Sequence, residues 1–196
     1  MKIRYNSPTI LTFTFFSAAV LILSQTVFRS LTELWFMVPG RGGFSPNNFR
    51  CWITLFSHAL GHANWSHLVS NFSFILLIGP ILEETYGSYS LLVMIFITAL
   101  ITGVLNILFF STALLGASGV VFMMILLSSF TNFNRGEIPL TFILVLILYL
   151  GRELFNSFGN FTDSGGNNIS QFAHIVGGFI GSLFGFFRKR APMNIE

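Results

Sequence analysis

Ser118, His174, His67 and Asn71 are the residues whose types and spacing could do chemistry in this chain. Ser118 stands in Gly116-Ala117-Ser118-Gly119, and His67-xxx-Asn71 puts an imidazole and a carboxamide one turn apart on a single helix face. His174 stands near the start of the run Ala173-His174-Ile175-Val176-Gly177-Gly178-Phe179-Ile180-Gly181. The first backbone N–H groups of a helix lack intrahelical partners and carry the positive end of its dipole. A serine at a helix start therefore lies beside a ready donor for an oxyanion, and its small neighbours let a substrate backbone approach. Asn71 can offer further donors to the same charge, and an imidazole reaching the hydroxyl would complete the parts of acyl transfer. Taken singly, each group also has a plain reading: Ser118 as a helix-packing residue among glycines, and His174, His67 and Asn71 as interhelical hydrogen bonders.

The elements that must hold these groups lie in a membrane. Of 196 residues, ten are Lys or Arg and seven are Asp or Glu, while 53% are hydrophobic and 25 are Phe. So few charges cannot cover the surface of a water-soluble globule, which excludes a soluble enzyme, a disordered tail and a nucleic-acid binder. The formal charge of +3 is too small and scattered for a phosphate-binding patch. Cys51 is the single cysteine and forms no internal disulfide.

The apolar runs predict an all-α, polytopic bundle of six spans at about 9–28, 66–82, 89–110, 118–133, 138–151 and 170–187. The stretch from Thr85 to Asn134 has no charge, and as one helix would reach roughly 75 Å; it must fold back, and the break falls at Ser111–Gly119. Span two starts with Ser66 as its expected N-cap and ends at Glu83-Glu84. Residues 29–57, rich in Trp and Phe, are expected in the membrane interface. Six spans leave Lys2, Arg4, Arg135, Arg188, Lys189 and Arg190 inside and Arg29, Arg41, Arg50 and Arg152 outside, the direction of the positive-inside rule, with both termini cytoplasmic. One transmembrane domain over 1–196 with no separate cytosolic domain is the expectation.

In that topology spans two, four and six run from outside to inside, and each carries its polar group in the first turn or two. Scattered packing residues have no reason to share one depth, and polar groups inside spans are by default candidates for a functional site. Small residues at 173, 177, 181 and 185 form a groove along span six into which a neighbouring helix can pack closely.

On Gly116-x-Ser118-Gly119, His67-xxx-Asn71 and Ala173-His174-xx-Gly177-xxx-Gly181, the chain resembles the rhomboid family of intramembrane serine proteases, in its short six-span bacterial form. The resemblance covers about residue 50 to the end. It implies that Ser118 is the nucleophile and His174 the general base, with His67, Asn71 and the Ser118 N–H holding the oxyanion. Gly116, Gly119, Gly177 and Gly181 would support the site, residues 29–57 would be a membrane-embedded first loop, and 152–169 would cap the site. It further implies substrates that are transmembrane segments of other proteins, a bilayer of the bacterial inner membrane, and neither cofactor nor metal. Two departures stand out: the first loop has no adjacent Trp-Arg pair, only Cys51-Trp52, and Phe122 replaces a tyrosine that relatives often pack on the base.

Rival readings are weaker. A Ser–His–Asp triad would need Asp163, which lies in a Gly/Asn-rich loop outside span six. His58-Ala59-Leu60-Gly61-His62 has the i, i+4 spacing of a zinc helix but lacks the glutamate base, and these two histidines are expected to hold the first loop against span two. A small transporter should show repeat symmetry, which is absent from the sequence, and a non-catalytic rhomboid-like binder of client helices should lack the serine or the histidine.

Overall fold

In the computed structural model, residues 5–130, 140, 143–144, 147–148 and 167–187 are described, with side chains from 175 onward in the last segment, 186 excepted. Among them the named elements are helices joined by loops: α1 (Pro8–Thr26), α2 (Leu31–Trp35), α3 (Phe49–Ser57), a 3₁₀ turn (His58–Leu60), α4 (Trp65–Tyr86), α5 (Ser88–Phe109), α6 (Ser118–Ser128) and α7 (Asn167–Phe187). Three of these, α1, α4 and α5, are long and apolar enough to cross a membrane, at mean hydropathies of 1.6, 1.5 and 2.6. At 1.5 Å per residue, 22 residues reach about 33 Å, the thickness of the hydrocarbon layer. The expected fifth span, 138–151, is described only at 140, 143–144, 147–148, and 152–166 of the expected cap lie outside the described residues.

Local sequence explains the helix ends. Proline opens α1, where its missing N–H costs nothing. The first turn of α1 has no acid of its own, and Glu83 of α4 takes that place: Thr9 N–H donates to Oε1 at 2.9 Å and Ile10 N–H to Oε2 at 3.1 Å. Glu83 is buried, so its carboxyl group closes α1 against the end of α4. Removing it in Glu83→Ala strands two amides, at a cost of about 1–3 kcal/mol. We expect a fall of several degrees in the melting midpoint of the purified protein, with a smaller fall in Glu83→Gln, which keeps an acceptor oxygen; unchanged midpoints would contradict this role.

Span two does not start at Ser66. Asn64 caps α4, its side chain accepting from the His67 N–H at 2.8 Å, and Trp65 is the first helical residue. Trp65 also donates from Nε1 to Gln25 Oε1 at 3.0 Å, joining the start of α4 to the end of α1.

The helix α6 is apolar all round and is buried from Gly119 to Leu127, as befits the centre of a bundle. The helix ends at Ser128, where the backbone tightens into i→i−3 bonds from Ser129 N–H to Leu126 C=O and from Phe130 N–H to Leu127 C=O, and 131–133 of the expected span lie outside the described residues. Alongside it, α7 packs backbone to backbone. A Cβ on Gly177 would run into the carbonyl of Gly119, one on Gly181 into the carbonyl of Met123, and one on Gly185 into the ring of Phe130. The paired numbers rise together, so α6 and α7 run parallel.

The first loop folds as a small unit. Asn48 caps α3 by accepting from Arg50 N–H, Trp52 Nε1 donates to Pro46 C=O at 3.0 Å, and Phe44 meets Trp52 edge to face. Val38 and Leu114 form an antiparallel bridge that ties this loop to the chain entering α6. Behind it, a Cβ on Gly103 of α5 would strike the Leu55 carbonyl, which lets α3 lie flush on α5. Phe49 and Trp52 remain exposed, at 73% and 50%, in keeping with rings that face the headgroup level.

Candidate active site

Three features seat Ser118 at the start of α6. Gly116 has φ +114°, a conformation that L side chains rarely adopt, and its N–H donates to the His58 carbonyl at 3.0 Å. A Cβ there would also lie 2.6 Å from His67 Cε1 and 2.7 Å from Nε2, so glycine is required twice, by the turn and by the imidazole pressed on it. Ala117 then holds the N-cap position without a side-chain cap. Among the described residues, the first N–H groups of α6, that of Ser118 foremost, thus have neither a helical partner nor a capping side chain. Ser118 itself is part-buried, between a buried Ala117 and a buried Gly119.

His67 and Asn71 stand on α4 against this turn. His67 is part-buried, Asn71 is buried, and the Asn71 Nδ2 atom lies 3.7 Å from the position of a Gly116 Cβ. The start of α4 therefore meets the start of α6. Phe122 is buried one turn into α6.

His174 lies on α7, three residues before Gly177; its side chain lies outside the described residues. Gly177 faces Gly119 and Gly181 faces Met123, so extending the parallel register back one turn sets the backbone of His174 level with Gly116–Ser118. The groove of small residues on α7 is thus occupied by α6 at 177 and 181, and at 185 by Phe130 just past the end of α6.

The other two histidines divide their work. His62 approaches α4, its Nε2 accepting from Asn71 Nδ2 at 3.1 Å, as expected of a residue tying the loop to span two. His58 goes elsewhere: its Nε2 lies 3.0 Å from the Ala99 carbonyl of α5, with Thr102 Oγ1 at 3.5 Å. Nor do the two share a helix, since Gly61 is extended between them, at φ −83° and ψ 142°. A zinc-helix geometry is therefore missing as well as the glutamate.

Burial pushes both rings down from 6.5 to about 4, His62 with a further push from the neighbouring His67. The unfolded chain then binds more protons than the folded one between those values, so stability is full above about pH 6.5 and declines as the pH falls toward 4. We expect the melting midpoint to drop by several degrees from pH 7 to 4.5, and a His58→Gln variant to lose part of that slope. A slope identical to wild type would contradict the assignment.

Sequence reasoning missed the capping role of Asn64 and the pairing of Arg50, whose guanidinium lies 5.1 Å from the centre of the Trp35 ring. The first loop thus has its Trp-Arg contact across 15 residues rather than between neighbours. The aromatic-rich composition signals such a contact without naming its partners.

Comparison with known proteins identifies the family. The family model for the Rhomboid domain matches residues 50–191. Over 141 residues the chain is 26% identical to Rhomboid protease GlpG of Haemophilus influenzae, covering 70% of each chain. Over 95 residues it is 30% identical to the chloroplastic Rhomboid-like protein 11 of Arabidopsis thaliana, covering 47% of this chain and 34% of that one.

Proposed function

The chain belongs to the rhomboid family, and on that footing we propose that it is an intramembrane serine endopeptidase that cuts transmembrane segments of other membrane proteins. One observation carries the reading: the close approach of Gly119 to Gly177, which lays the helix of His174 beside that of Ser118 while Gly116 rests on His67. Ser118 Oγ attacks the peptide carbonyl, and His174 takes the proton and later returns it to the leaving amine. The oxyanion is held by the Ser118 N–H, His67 and the Asn71 amide, donors fixed before substrate arrives. Water then hydrolyses the acyl-enzyme. A dyad suffices here, with Phe122 one turn from the serine to orient the base by packing.

The wider picture follows from the same reading. Spans near 118–133, 138–151 and 170–187 join α1, α4 and α5 in a six-span domain with both termini cytoplasmic, in a bacterial inner membrane. The site then opens near the outer face, capped by 152–169. A substrate helix hides its carbonyls in hydrogen bonds, so cleavage requires local unwinding, which Gly or Pro near the outer end makes easier.

The test is cleavage of a reporter transmembrane protein by the purified chain in proteoliposomes. A cut within the outer third of the reporter span, unaffected by a strong chelator, supports the proposal. No cleavage of any transmembrane reporter, or cleavage abolished by the chelator, would overturn it.

A further inference from the structure

We propose that His62 is a positioning residue that orients the Asn71 carboxamide, so that its nitrogen, not its oxygen, faces the Ser118 turn. The inference rests on the proteolytic reading and adds the device that sets the polarity of its oxyanion pocket. The two ends of a carboxamide have nearly the same shape, so only the surrounding hydrogen bonds decide which way it points. Here the decision starts at a backbone carbonyl. Leu60 C=O lies 3.4 Å from His62 Nδ1 and can only accept, so Nδ1 carries the hydrogen. In the neutral ring Nε2 is then an acceptor, and the Asn71 atom 3.1 Å from it must be the donor, Nδ2. The flipped amide would set two lone pairs against each other in a buried place, where His62 is 1% and Asn71 7% exposed.

One Nδ2 hydrogen is spent on His62, which leaves the second for the site. Asn71 Nδ2 lies 3.7 Å and His67 Nε2 2.7 Å from the position of a Gly116 Cβ, so both nitrogens border one small residue, two before Ser118. An amide oxygen in that place would repel an oxyanion instead of holding it. The His62 ring is held from turning by edge contacts with His67 at 5.0 Å and Phe72 at 5.6 Å between centroids. Burial, which keeps this ring neutral at ordinary pH, preserves Nε2 as an acceptor.

The experiment is a double-mutant cycle with a reporter transmembrane substrate. His62→Leu should lower kcat by about 10- to 100-fold with KM changed less than about twofold. In an Asn71→Ala background the same change should cost nothing further, and His62→Gln, which keeps an acceptor, should recover most of the lost kcat. Losses that multiply in the double variant, or His62→Gln no better than His62→Leu, would overturn the inference while leaving the protease reading intact. If Asn71→Ala keeps full kcat where Ser118→Ala has none, the oxyanion role of Asn71 fails and the inference fails with it. A readout independent of cleavage is the ¹⁵N NMR of histidine-labelled protein. A His62 with protonated Nδ1 and bare Nε2 supports the orientation, and the opposite tautomer overturns it even if His62→Leu does not fold.

Discussion

Ser118→Ala is expected to lower kcat/KM for a reporter transmembrane substrate by about 10⁴-fold or more, with no loss of thermal stability. The hydroxyl is the only group removed; the backbone N–H that would serve the oxyanion stays, and Ser118 is the first residue of α6 with no capping role. His174→Ala should cost a comparable factor. The double variant should be little worse than either, since on the proposed mechanism nucleophile and base act as one unit. Cleavage by Ser118→Ala within tenfold of wild type would remove Ser118 from the mechanism.

The second large effect belongs to a residue with no chemistry. Gly177→Ala puts a methyl group into the carbonyl of Gly119, and backbone cannot move aside as a flexible side chain can. The start of α7 must back away from α6, which shifts His174 relative to Ser118. A displacement of about 1 Å in reacting groups costs on the order of 100-fold, and we expect at least that loss in kcat. The neighbouring glycine supplies the control. Among the described residues a Cβ on Gly178 meets just the Leu126 side chain, Cδ1 at 3.5 Å and Cγ at 3.6 Å, both ordinary contacts, so Gly178→Ala should keep activity within about twofold. It should also gain about 0.5–1 kcal/mol from better helix propensity. Equal activities of the two variants would mean that the α6–α7 approach does not position the site.

How much of this was legible in the sequence depends on the kind of signal. Polar residues in charge-poor spans stand out against their surroundings, which is why His67, Asn71, Ser118 and His174 can be picked as candidates from order and spacing. The extents of α1 and α5 follow from the length of uninterrupted apolar sequence, because a bilayer demands it. Helix ends were harder. Asn64 and Ser66 are both good capping residues two positions apart, and only the direction of the Asn64 side chain selects between them. Past Ser128, the N–H groups of Ser129 and Phe130 end α6 by a local tightening that apolar composition hides.

Contacts between distant segments were least legible. Glu83 read as the end of a span, yet its carboxyl group serves the amides of Thr9 and Ile10, more than 70 residues away. His58 and His62 look alike in sequence and end on different helices, α5 and α4, because the extended Gly61 turns one away from the other. The groove of small residues on α7 was visible as a pattern. That its occupant is α6, in parallel register, required the backbone positions of Gly119 and Met123.

The central claim is that one serine hydroxyl in this membrane bundle is made nucleophilic by one imidazole. It is tested most directly by treating the purified protein with a fluorophosphonate and locating the adduct by mass spectrometry. The account predicts a single adduct on Ser118 in wild type, and none in His174→Ala at the same exposure. An adduct on another residue, or labelling of Ser118 at an unchanged rate without His174, would contradict it.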